Sequence, residues 1–133
     1  MHILSVVIPC YNEAKTLKGS VDRVLGITDG SLAVEVIIVD DSSTDQSYVI
    51  ARDLESAHPE IKVLRHEKNR GKGAALRKGF KAATGDFVAV QDADLESDPQ
   101  DLKRLLVPLV EGKADVVFGS RFLSQGAHRV CHF

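Results

Sequence analysis

Tryptophan is missing from this sequence of 133 residues, methionine occurs once, cysteine twice, and aromatic residues make up only 5%. The two cysteines, Cys10 and Cys131, stand near opposite ends, which excludes a disulfide scaffold and a cysteine-based zinc site and makes the cytoplasm the simpler compartment. Long apolar runs are lacking as well: the longest, around residues 6–9 and 34–39, fall far short of the roughly 18 residues a membrane-spanning helix needs. Residues 1–4 carry no signal-peptide pattern, so the domain is expected to begin at its first residue. Positive charge is not in excess. Seventeen Lys plus Arg against nineteen Asp plus Glu give a net charge of −2, which argues against a nucleic-acid-binding module and leaves any phosphate-bearing ligand dependent on a local site. No nucleophile elbow surrounds a serine, and none of the five histidines stands at metal-ligand spacing. Cys10, with no histidine near it in sequence, reads as a small buried residue rather than a nucleophile.

With 44% hydrophobic and 27% charged residues, the composition is that of one soluble globular domain with its own core. Short β-branched runs alternate with segments of helical period, which predicts repeated βα units, a mainly parallel sheet and helices on both faces. Strands are expected over residues 3–8, 35–39, 61–65, 87–91 and 115–118. Leu17, Val21, Val24 and Leu25 mark one face of a first helix starting near Glu13, with Asn12 as its cap. Ser43 and Gln46 have capping-box spacing before a second helix carrying Ile50, Leu54 and Ala57, which His58-Pro59 ends. A third helix carries Ala75, Leu76, Gly79, Phe80 and Ala83; a fourth starts at Asp98-Pro99, with Pro108 expected to kink or close it. Residues 120–133 show no clear period, and the chain stops without a polar tail or cap, as if interrupted.

Ligands of open α/β sheets bind beyond the carboxyl ends of the strands, so the loops there matter most. Three are unusual: Pro9-Cys10-Tyr11-Asn12-Glu13 after the first strand, Asp40-Asp41-Ser42-Ser43-Thr44-Asp45 after the second, and Asp92-Ala93-Asp94-Leu95-Glu96 after the fourth. In extended chain, residues i and i+2 point the same way, so Asp92 and Asp94 bring two carboxylates to one point, with Glu96 able to add a third. Such hard oxygen ligands favour Mg²⁺ or Mn²⁺, which bind a few carboxylates together with substrate phosphates. An isolated Asp-x-Asp is more often ordinary turn chemistry, and Asp-Asp-Ser-Ser before a helix is ordinary capping. Tyr11 is equally readable as a packed aromatic or a stacking platform. Lys68, Arg70 and Lys72 beside Gly71 and Gly73 suit a diphosphate, although His66 stands where a Walker loop needs glycine and Leu76 where the dinucleotide fingerprint needs one.

Taken together, residues 6–13 (VVIPCYNE), 39–45 (VDDSSTD), 69–73 (NRGKG), 91–95 (QDADL) and 119–122 (GSRF) resemble, in order and spacing, the family 2 glycosyltransferases of GT-A fold. The likeness is strongest to their polyprenyl-phosphate branch, which includes the dolichyl-phosphate mannose synthases. The resemblance implies a three-layer α/β sandwich with a Rossmann-like sheet and metal-dependent, inverting transfer of a sugar from a nucleoside diphosphate sugar. It implies that Pro9, Tyr11, Asn12 and Glu13 contact the nucleotide and that Val39 with Asp41 holds the base. Asp92 and Ala93 would approach ribose and phosphate, with Asp92, Asp94 and Glu96 as metal ligands and Lys72 and Arg121 on phosphates. Glu96 stands where the lipid-phosphate branch often has Gln. Residues 1–122 then form the nucleotide-sugar-binding part and residues 123–133 the start of an acceptor-side region, with the catalytic base beyond residue 133 and a lipid phosphate at the membrane surface as one acceptor. Two other classes remain: a noncatalytic nucleotide-sugar-binding module, and a phosphoacceptor receiver domain. The receiver is disfavoured because its paired acids and phosphorylated Asp would fall where Pro9-Cys10-Tyr11 and Arg65-His66-Glu67 stand.

Overall fold

The computed structural model describes residues 1–95, 98–111, 116–118 and 129–132. Their order is β1 (His2–Cys10), α1 (Leu17–Leu25), β2 (Leu32–Asp40), α2 (Ser47–Ala57), β3 (Ile61–Arg65), α3 (Lys72–Ala82), β4 (Phe87–Val90), α4 (Gln100–Val110), β5 (Val116–Phe118) and β6 (Arg129–His132). Among the described residues these strands form one sheet in the order β3-β2-β1-β4-β6-β5. The pairs β1·β2, β2·β3 and β1·β4 are parallel, so the chain steps outward from β1 to β3 and then crosses back to the other side of β1. That reversal between β2 and β4 is the topological switch point at which open α/β sheets bind ligands.

Alternation along the strands divides the core into two layers. Leu4, Val6 and Ile8 of β1 and Val36 and Ile38 of β2 face Leu17, Val21 and Val24 of α1, Leu54 of α2 and Leu102 and Leu106 of α4. Val7, Ile37, Val39 and Val88 face the other way, onto Ala75, Leu76 and Phe80 of α3. Both faces are covered, and β1 and β2 are accordingly apolar nearly throughout. Gly79 lets α3 lie close on the sheet, because a β-carbon there would run into Val7 Cγ1. The close approach fixes where the start of α3 meets the strand ends.

The expected three-layer architecture is present, with β3 at the expected bounds and α2 ending at His58. Three local expectations give way. α1 begins at Leu17 with Thr16 before it, and Asn12 does not cap it; Asn12 has φ 53 and its Oδ1 accepts from the backbone N–H groups of Thr44 and Asp45 at 2.8 and 3.3 Å. The Ser43–Gln46 capping box does not form either: Ser43 Oγ accepts from the Asn12 N–H at 2.9 Å, and Asp45 Oδ1 takes the Ser47 N–H at 2.8 Å. Asn12 and Ser43 thus bond across the two loops, while the first N–H of each helix is taken locally, Leu17 by the Glu13 carbonyl and Ser47 by Asp45. Of the two outcomes expected at Pro108, closing does not occur there, since α4 runs two residues further to Val110. Finally, the segment without period contains β6, which pairs antiparallel with both β4 and β5. Four residues are too few for a period of two to stand out.

Candidate functional site

The parallel register places Pro9 beside Val39 and Cys10 beside Asp40, so the loops leaving β1 and β2 start level with each other. They are then laced together. Besides the Asn12 bonds, the Glu13 N–H donates to Ser47 Oγ at 2.8 Å and the Ala14 N–H to Asp45 Oδ2 at 3.2 Å. On the other side of β1, the loop after β4 is held by α1: Ser20 Oγ donates to the Asp92 carbonyl at 3.1 Å and Arg23 Nη1 to the Leu95 carbonyl at 3.1 Å.

Between these loops lies a cleft of about 270 Å³ lined by Pro9, Cys10, Tyr11, Glu13, Asp41, Lys72, Ala75, Asp92, Ala93 and Asp94. Eight of the residues expected from sequence therefore meet at one place. Asn12 lies outside the lining and works as a loop clamp. Val39 is fully buried against α3, so its side chain stays in the core. Glu96 and Arg121 fall outside the described residues.

Each wall has a distinct character. Tyr11 is 48% exposed, as an open stacking surface would be. Cys10 is buried and its thiol is pushed up to about 11 by that burial, which leaves it protonated and inert at neutral pH. Lys72 Nζ donates to Asp92 Oδ1 at 2.7 Å, a cation and a carboxylate paired on the cleft wall. Asp94 shares that wall and is half-buried.

Asp41 is the most heavily bonded acid. Its Oδ1 accepts from His66 Nδ1 and the Arg70 N–H, both at 2.8 Å, and its Oδ2 accepts from the Gly71 N–H at 2.8 Å. Burial raises the Asp41 carboxyl, and the bonds from Arg70, His66 and Gly71 more than reverse that, so its pKa is lowered. An ionised carboxylate only accepts, so the proton of the pair sits on His66 Nδ1. With about four acceptor positions on a carboxylate and three in use, Asp41 retains one, on Oδ2. These bonds also hold Gly71, at φ 93, where it starts α3 and points Lys72 at the cleft.

His66 is the residue that sequence reasoning missed. Its signal was available only through register: Asp40 pairs with Arg65, which puts the next residues, Asp41 and His66, side by side. Neighbouring Asp40 is fully buried, with Oδ2 accepting from the Ser43 N–H at 3.1 Å and Oδ1 unpartnered among the described residues.

For a divalent cation the described residues offer Asp92 and Asp94; no group of three His, Cys, Asp or Glu side chains placed to hold a metal occurs among them. Two hard carboxylates in an open cleft fit Mg²⁺ or Mn²⁺, whose remaining positions are filled by water and substrate phosphate.

The fold and cleft define a doubly wound α/β protein of GT-A type. Residues 5–132 match the family model described as glycosyl transferase family 2, and the chain belongs to that family. It is 37% identical over 123 residues to a dolichol-phosphate mannosyltransferase of Pyrococcus furiosus, covering 92% of this chain and 34% of that one. Among solved structures it superposes on the mannosyltransferase PcManGT of Pyrobaculum calidifontis in complex with GDP-Man and Mn²⁺, with TM-score 0.78 and 23% identity over 97% of this chain and 44% of that one. It is also similar to S. aureus TarS 1–349 in complex with UDP-GlcNAc, with TM-score 0.71 and 30% identity over 85% of this chain and 32% of that one. The chain thus spans about a third of the length of the mannosyltransferase relative.

Proposed function

We propose that this chain binds a nucleoside diphosphate sugar at the carboxyl ends of β1, β2 and β4 and serves a metal-dependent, inverting glycosyl transfer. The observation that carries the reading is the single cleft that gathers an exposed ring, a loop-bound carboxylate with one acceptor position left, a lysine and an Asp-x-Asp pair. Tyr11 stacks on the base, and the remaining lone pair of Asp41 Oδ2 accepts from a base N–H. Lys72 turns from Asp92 to the diphosphate as the ligand arrives. Asp92 and Asp94 hold Mg²⁺ or Mn²⁺, with Glu96 and Arg121 as further candidates for metal and phosphate. A cation so held supplies positive charge where negative charge grows on the departing diphosphate. Lys72 adds to that charge from the protein side.

The dolichol-phosphate mannosyltransferase relative suggests a polyprenyl phosphate as acceptor. Such a phosphate is already anionic at neutral pH and attacks the sugar carbon without a strong protein base. A hydroxyl acceptor needs one. The second reading is a noncatalytic donor-binding part, with residues 1–122 as the donor side: the groups gathered in the cleft are all of donor-binding kind. Titration calorimetry with GDP and UDP, with and without Mn²⁺, tests donor binding, and a radiolabelled panel of GDP- and UDP-sugars with polyprenyl phosphate tests transfer. Metal-dependent nucleotide binding with transfer supports the enzyme, the same binding without transfer supports the donor-binding part, and no nucleotide binding at all removes both.

A further inference from the structure

Charge is unevenly distributed along the chain. Residues 61–85 contain eight of the seventeen Lys and Arg but only one of the nineteen acids, Glu67, in a protein whose net charge is −2. The fold gathers most of this excess in one open groove of about 740 Å³, separate from the donor cleft and larger than it. Its floor and walls come from the end of β3 with the loop that follows and from the outward face of α3. Arg77, Lys78 and Lys81 stand at helical spacing along α3, facing Arg65, Lys68 and Arg70. Lys68, Arg70, Arg77 and Lys81 are exposed and form no ion pair among the described residues. Six cations share the groove with one acid, Glu67, and only Arg65 among them has an ion-pair partner, Asp40 at 3.8 Å; the remaining like charges repel one another and folding gains nothing from collecting them.

We propose that this groove is the surface by which the chain docks on an anionic lipid bilayer; this rests on the lipid-phosphate acceptor of the proposed function. Three features favour a bilayer over a discrete anion or a nucleic acid. The groove is wide and its cations are on long, solvated stems, whereas the one buried side chain in its lining, His66, is committed to Asp41. No Phe, Tyr or Trp is among the residues lining it and the His66 ring is buried, so unstacked bases find no open platform. It also adjoins the donor cleft through one loop: Arg70 lines the groove, Gly71 bonds Asp41, and Lys72 and Asp41 line the cleft. A bilayer held against the groove would bring phosphate headgroups to the rim of the site where an anionic lipid acceptor must enter.

Flotation with vesicles of phosphatidylcholine alone, or of phosphatidylcholine with 30% phosphatidylglycerol, tests this directly on the whole chain. The wild type should float with the anionic vesicles only, and 0.5 M NaCl should release it. Each exposed basic residue near a bilayer contributes about fivefold to partition, so the triple variant Lys68→Gln, Arg77→Gln, Lys81→Gln should lose about a hundredfold. Its Mn²⁺-dependent GDP or UDP affinity should stay unchanged, because none of the three lines the donor cleft. The salt release of the wild type needs no variant and stands even if the triple variant folds poorly. Equal flotation on neutral and anionic vesicles, insensitivity to the triple substitution, or pyrophosphate or single-stranded RNA binding at the groove in place of vesicles would each overturn the proposal. Loss of vesicle binding with donor binding intact defeats this inference alone; loss of donor binding with vesicle binding intact defeats the proposed function alone.

Discussion

Two acid pairs stand at the carboxyl ends of the strands that flank β1, Asp40-Asp41 after β2 and Asp92-Ala93-Asp94 after β4, and the protein surrounds them differently. Asp41 is 4% exposed and bound to His66, Arg70 and Gly71, three groups from a single loop. Asp92 and Asp94 are half-buried on the cleft wall, and Asp92 is balanced by Lys72, a flexible cation whose side chain is 58% exposed. The first pair is held by its loop, with one acceptor position left on Asp41, and the second faces the cleft beside a movable cation. Similar composition at similar places in a sheet therefore divides into a braced pair and an open pair according to what the neighbouring loop supplies; in the proposed function the open pair holds the metal.

The strongest way to break that contrast is Asp41→Ala. Removing a buried carboxylate that anchors His66 and two backbone N–H groups should destabilise the fold by about 3 kcal/mol and weaken nucleotide binding with it. Urea unfolding measures the first effect; a loss below about 0.5 kcal/mol would place Asp41 among ordinary surface acids. Asp94→Asn should do the reverse. We expect Mn²⁺-dependent nucleotide affinity to fall at least about tenfold, or 1.4 kcal/mol, while stability stays within about 0.5 kcal/mol of wild type. Unchanged affinity or a lower melting temperature would give Asp94 a structural role.

Acid pH sharpens the braced side. Glu35, at the other end of the sheet, accepts from Ser5 Oγ, Lys62 Nζ and both the N–H and hydroxyl of Thr84. Burial works against its charge, the Thr84, Ser5 and Lys62 bonds outweigh it, and the carboxyl is lowered to about 2. Asp41 is lowered too. A folded-state pKa below the unfolded one gives stability that is full above the unfolded value, about 4 for a carboxyl, and is lost as pH falls through the folded one. Stability should therefore drop between about pH 4 and pH 2, and Glu35→Gln or Asp41→Asn should each flatten that limb. An acid limb as steep in both variants as in wild type would refute the assignment. The smallest effect is expected for Lys72→Met: Mn²⁺ alone should bind a few-fold more tightly, since an exposed pair contributes only about 0.5–1 kcal/mol, and nucleotide diphosphate more weakly. Manganese paramagnetic resonance reads the first change, and equal Mn²⁺ affinity would remove Lys72 as the counter-charge of Asp92.

The same contrast explains what could be read from the sequence. Repeated βα units, the core faces of the helices and the acidic loops at strand ends follow from local composition, and Tyr11, Asp41, Lys72, Asp92 and Asp94 do meet in one cleft. What could not be read depends on partners distant in sequence. Asn12 and Ser43 carry capping chemistry but spend it on each other's loops, about thirty residues apart. The grip of Asp41 on 66–71 needs the register between β2 and β3, and β6 reaches its place only by pairing with β4. Spacing along a chain reports faces of helices and strands; it does not report which loop will lie beside which.

The most direct measurement is a calorimetric titration of the wild type and Asp94→Asn with GDP and UDP, each with Mn²⁺ and with a chelator, beside a thermal melt of both proteins. The account predicts that at least one nucleotide binds the wild type only with metal, that Asp94→Asn loses this binding, and that the two proteins melt together. Nucleotide binding of equal strength with chelator, or unchanged in Asp94→Asn, would contradict it.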